Sequence, residues 1–161
     1  MTVSTSDIAT IADAYERATA DFLAAAAEAD VHDLDRHHPD GWSARQVIHH
    51  VADSEAQSYA RLRRLLAEPD PVIQPYDEGA WADSPLLGYT ELPVENSLAV
   101  FSSVRAATLD IVRRLTSADL ERSGIRADYT QPYTVRRWAE VYSGHPTEHA
   151  DQLRRALRSE A

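Results

Sequence analysis

His145 and His149 are the residues whose type and spacing point most directly to chemistry. If their segment is helical, four residues bring them one turn apart, with Cβ atoms about 5–6 Å from each other. Two imidazoles so placed can share one divalent cation, as in other H-x-x-x-H chelates. A lone buried pair is read first as neutral, hydrogen-bonded core. A third histidine, His50, shifts that balance if its own helix turns it inward. Three neutral imidazoles leave a coordination position open for water or for a substrate's thiolate or carbonyl. Nitrogen ligands alone do not separate the metals; zinc is expected on availability, with nickel chemically plausible.

The second of four helical segments must position His50. Ser43 and Gln46 form a capping box at its start, and Pro69 sets its end near Glu68. Val47, Ile48, Val51, Leu62, Leu65 and Leu66 fall on one buried stripe, with His50 at the stripe's edge beside Gln46, Asp53, Gln57 and Arg61. His49 is expected to face water. The fourth helix, from a Thr134 cap to about Arg158, turns Trp138, Val141, Tyr142, His145, His149, Gln152, Leu153 and Ala156 one way, with arginines and acids opposite. Gln46, Asp53 and Tyr142 lie near the ligands by helical spacing and are candidates to hydrogen-bond them, and Tyr76 is a candidate to line the pocket. Pro146 is the obstacle. In a regular helix it removes a backbone bond and clashes with the preceding turn, so a kink is expected over Tyr142–Pro146.

The remaining segments complete an all-α fold. Ser6 to about Ala29 carries Ile8, Ile11, Tyr15, Ala18, Phe22 and Ala26 at helical spacing. Val31–Gly41 is a polar connector holding His32, His37 and His38, expected to be solvated, and a turn at Pro39-Asp40-Gly41. Pro93 is placed to open a third helix reaching about Leu115, with Val94, Leu98, Phe101, Val104, Thr108, Ile111 and Val112 inward. Ser117–Arg122 suggests one further helical turn. No convincing strand is visible. The long stretch from Pro69 to Leu92, with a possible helical turn at Tyr76–Trp81, makes this a four-helix bundle with a long crossover between helices 2 and 3. Trp81 is expected to cover the core.

At 161 residues the chain is expected to be one domain, residues 1–161. It has no cysteine, which excludes disulfides, thiolate ligands and a cysteine nucleophile. All 16 basic residues are arginine, so a lysine Schiff base is excluded too. A net charge of -10 argues against nucleic acid as a partner. No apolar run approaches a membrane span and the N-terminus lacks the features of a secretory signal, so a cytoplasmic location with a small-molecule substrate is expected.

Trp42-Ser-Ala-Arg-Gln-Val-Ile-His-His50-Val-Ala-Asp-Ser-Glu55, then Pro75-Tyr-Asp-Glu-Gly-Ala-Trp81, then His145-x-x-x-His149 followed by Gln152-Leu153, together resemble the signature of the DinB/YfiT-like superfamily, the YfiT-type branch in particular. The resemblance implies a four-helix bundle, a divalent metal on His50, His145 and His149, and frequently a homodimer. It also implies a metal-dependent transfer of a low-molecular-weight thiol, such as bacillithiol, mycothiol or glutathione, to an electrophile. Pro146 departs from the commoner helical residues of that motif. Two other functions are carried beside this one: hydrolysis of an amide or ester at the same metal, and a non-enzymatic small-molecule or stress-response binding bundle.

Overall fold

The computed structural model describes residues 5–39 and 41–159. Asp40, the centre of the expected turn, lies outside the described residues. Four long helical segments form the body: α1 (Thr5–Ala27), α2 (Ala44–Ala67), α4 (Glu95–Val112), and a fourth divided into α5 (Val135–Tyr142) and α6 (His145–Arg158). A short α3 (Glu78–Asp83) lies within the crossover, where a helical turn was expected. α2 packs on α4 and α6, and α1 closes the ring against the same two. No helix among the described residues is long and apolar enough to cross a membrane.

The capping box forms as expected: Gln46 N–H donates to Ser43 Oγ while Ser43 N–H donates to Gln46 Oε1. It fixes where α2 begins and therefore the angular position of every residue after it, His50 included. The third helix starts two residues later than Pro93 suggests, at Glu95, with Val94 as its cap.

The break in the fourth helix resolves the difficulty of Pro146. α5 ends at Tyr142, Ser143 and Gly144 interrupt the helix, and α6 restarts at His145 with Pro146 in its first turn. A proline there costs no hydrogen bond, because first-turn amides have no intrahelical acceptor. Both histidines thus belong to one uninterrupted helix, and the i,i+4 chelate geometry survives.

Two expectations are corrected. A small three-stranded sheet exists, with β1 (Val72–Ile73) parallel to β2 (Ser123–Arg126) and β2 antiparallel to β3 (Tyr133–Thr134). Strands of two to four residues are too short to leave an alternation signal in the sequence. Gly124 makes the sheet possible, since a Cβ there would stand 2.4 Å from the carbonyl oxygen of Pro71. The second correction is His49, which is buried rather than solvated. Its Nδ1 meets Ser97 Oγ at 2.8 Å and its Nε2 meets the Leu92 carbonyl at 3.1 Å. The crossover and the start of α4 cover that side of α2, a packing that periodicity along α2 alone cannot reveal. His32, His37 and His38 are exposed.

The core has two apolar halves. One gathers Phe22, Val47, Val51, Phe101 and Leu153; the other gathers Tyr15, Leu62, Val112, Tyr133 and Trp138. Between them lies a buried polar layer containing Ser54, Glu55, Ser58, Arg105 and Thr108. The histidines sit at this level of the bundle.

Candidate metal centre

α2 supplies His50, and α6 supplies His145 and His149. One nitrogen from each ring lies within 4.8 Å of the other two. Ring centroids are 4.5 Å apart for His145 and His149, 4.7 Å for His50 and His149, and 5.9 Å for His50 and His145. His50 is 1% exposed and its ring lies against Trp42 at 4.8 Å.

The outer nitrogens decide what the inner ones can do. His149 Nδ1 lies 2.7 Å from Gln152 Oε1, and His145 Nδ1 lies 3.3 Å from Glu55 Oε1. Both partners are acceptors, so each Nδ1 carries the proton and each Nε2 presents a lone pair. Those two Nε2 atoms face each other at 3.1 Å. Two lone pairs at that distance repel unless a cation or a shared proton lies between them. With metal–nitrogen bonds of about 2.0–2.1 Å, a tetrahedral centre holds two ligand nitrogens about 3.3–3.4 Å apart, close to the spacing found. His50 Nδ1 is buried without a hydrogen-bond partner, the condition of a nitrogen reserved for another ligand. The residues therefore fit a divalent cation.

The environment also favours the ligand form of the rings. Burial, followed by the charges of His149 and His145, takes the His50 pKa down to about 3. Burial, followed by the His145 charge, takes His149 down to about 4. His49 is lowered as well, again first by burial. These folded-state values lie below the unfolded value of about 6.5. As pH falls from 6.5 toward 4, the unfolded chain therefore takes up protons that the folded chain refuses, and stability falls. Thermal melts of metal-free protein should show the melting temperature declining over that window. A flat profile from pH 7 to 5 would contradict these assignments.

Two buried charged residues carried no role in the sequence reading. Glu55 and Arg105 are each 1% exposed, and Arg105 Nη1 donates to Glu55 Oε2 at 3.3 Å. The same guanidinium donates to the carbonyls of Tyr142 and Tyr15 and to Thr19 Oγ1. Arg105 thus ties α4 to α1 and α5, and through Glu55 it reaches His145. A signal for both existed. Glu55 follows Val47 and Val51 on the apolar stripe of α2, and Arg105 follows Leu98 and Phe101 on that of α4. Opposite charges in two buried stripes invite pairing.

The other residues singled out by the sequence have varied places. Tyr142 lies against His145, ring centroids 5.6 Å apart, and its hydroxyl accepts from Arg61 at 2.7 Å. Gln46 serves the capping box. Asp53 accepts from the Tyr89 hydroxyl at 2.6 Å. Tyr76 packs against Trp81, 4.7 Å between ring centroids. Ser54, from α2, brings its hydroxyl within 3.4 Å of His145 Nε2, and Glu78 Oε2 lies 3.9 Å from His50 Nε2.

A four-helix bundle with three histidines converging from facing helices defines a class of metal-binding bundle proteins. The model of the DinB superfamily matches residues 14–153, and the chain belongs to that superfamily. A protein of Oceanobacillus iheyensis, provisionally named a metal-dependent hydrolase, is 43% identical over 83 residues, 52% of this chain and 46% of its own. The chain thus spans about half the length of that relative. A Bacillus cereus protein of the same provisional name is 35% identical over 124 residues, 73% of this chain and 67% of its own. Among solved structures, YfiT from Bacillus subtilis superposes with a TM-score of 0.85 at 27% identity, over 97% of this chain and 89% of that one. It is described as a probable metal-dependent hydrolase with an unusual four-helix bundle topology.

Proposed function

We propose that the chain is a metal-dependent enzyme that transfers a low-molecular-weight thiol to an electrophile at a divalent cation held by His50, His145 and His149. The observation that carries the metal is the pair of Nε2 lone pairs facing each other at 3.1 Å. A bound divalent cation with neutral ligands lowers the pKa of a coordinated group and so supplies a nucleophile at neutral pH. The chain has no cysteine, so the sulfur must come from the small molecule. Glu55, which holds His145, is itself held by Arg105 and is not free to accept a substrate proton. The same reading takes zinc as the metal, a small-molecule cosubstrate, a cytoplasmic setting and a homodimer.

Hydrolysis of an amide or ester is the second reading. Glu78 favours it: a half-exposed carboxylate near His50 could accept a proton from an attacking water. The names given to the relatives favour it too. The two readings separate in one experiment on metal-loaded protein. Thiol transfer requires bacillithiol, mycothiol or glutathione to be consumed together with a model electrophile, and Glu78→Gln should leave most of that activity. Turnover of an ester without any thiol, reduced about 100-fold or more by Glu78→Gln, would select hydrolysis instead.

A further inference from the structure

Beside the histidines lies a group of hydrogen-bond donors that the metal does not use. Arg61 is 5% exposed and forms no ion pair with any described residue. Its Nη1 donates to Tyr142 Oη at 2.7 Å and its Nη2 to the Gln74 carbonyl at 3.0 Å, while its Nε is buried without a partner. The hydroxyls of Tyr76 and Tyr133 are likewise buried and unpartnered. The Arg61 guanidinium carbon lies 5.8 Å from the centroid of the Tyr76 ring and the guanidinium bonds Tyr142 Oη, and its charge also reaches Tyr133. Burial keeps them protonated, raising Tyr76 and Tyr142 to about 12 and raising Tyr133 as well.

This cluster adjoins the metal centre. Ser54 lies 3.4 Å from His145 Nε2 and neighbours the phenols of both Tyr76 and Tyr142. The carboxylates that might have answered Arg61 are engaged elsewhere: Glu55 with Arg105, Asp53 with Tyr89 and Asp128 with Arg126. An unpaired buried cation is costly, and a donor left without an acceptor adds to that cost. Three buried donors, one of them on a charged group, have no hydrogen-bond partner among the described residues. Such an arrangement suits an anionic oxygen ligand.

We propose that Arg61, with the hydroxyls of Tyr76 and Tyr133, forms a subsite for a carboxylate of the substrate or cosubstrate, one serine hydroxyl away from the metal ligands. This deepens the enzymatic reading above and rests on it for the word substrate, but the anion site itself stands on the donors alone. Carboxylate is favoured over phosphate because a planar two-oxygen group matches a guanidinium edge.

The test measures binding of succinate, succinamide and inorganic phosphate by calorimetry, with metal-loaded protein and with protein stripped of metal and desalted. Metal content is measured on the same samples, so a failed metal reading is seen separately from a failed anion site. Succinate should bind both forms, and succinamide should not. Arg61→Met should weaken succinate at least about tenfold while retaining one metal per chain, and Tyr133→Phe should weaken it about three- to tenfold. If Arg61→Met does not fold, Tyr133→Phe and Arg61→Lys carry the same comparison, with weaker binding expected in each. Equal binding of succinate by wild type and variants, equal binding of succinamide, or binding of phosphate alone would overturn the proposal.

Discussion

Replacing His149 with alanine should abolish stoichiometric metal binding and leave a folded protein. Losing a partner that only orients a ligand costs about 10–100-fold in metal affinity, and losing a ligand of three should cost more. His149 faces the lone pair of His145 at 3.1 Å, so its removal relieves a repulsion in the metal-free chain instead of leaving a buried donor unmet. The melting temperature of metal-free His149→Ala should therefore stay near that of metal-free wild type. The difference appears on adding metal. An ion present at 100 times its dissociation constant stabilises wild type by about 2.7 kcal/mol, worth about 5–11 °C in a domain of this size. The variant should show no such rise. A variant that kept both the stoichiometry and the rise would remove His149 from the centre.

Arg105→Met should have the largest effect on stability. It leaves Glu55 as a buried carboxylate facing an apolar side chain, and breaking a buried pair in this way costs about 3–5 kcal/mol. The corresponding fall in melting temperature is about 6–20 °C. Pairing it with Glu55→Leu should recover much of that loss, because no uncompensated charge then remains. The double variant should nonetheless bind metal about 10–100-fold more weakly than wild type, because Glu55→Leu removes the acceptor of His145 Nδ1. The cycle therefore separates the two duties of Glu55, holding the core and orienting a ligand. Arg105→Met melting within about 2 °C of wild type would show that the pair holds nothing together.

The four helices and the three histidines were legible because each rests on local information. A capping box, a proline stop and 3.6-residue periodicity place His50, His145 and His149 on inward faces without knowledge of the partner helix. The outcome for Pro146 was half legible. A distortion was foreseeable, but only the break at Ser143–Gly144 shows that it falls before the chelate and spares it. The buried place of His49 was not legible, because it depends on where the crossover settles. The small sheet joins residues about 50 positions apart through segments too short to announce themselves. Glu55 and Arg105 sat in plain view on apolar stripes; what was missing was the pairing of α2 with α4 that makes each the other's answer.

Metal content joined to X-ray absorption tests the centre most directly. Protein purified without chelator and reconstituted with zinc should hold about one ion per chain, with three imidazole nitrogens at about 2.0–2.1 Å. That signal should disappear in each of His50→Ala, His145→Ala and His149→Ala. Protein that takes up no divalent ion, or holds one through oxygen ligands indifferent to all three substitutions, would contradict it.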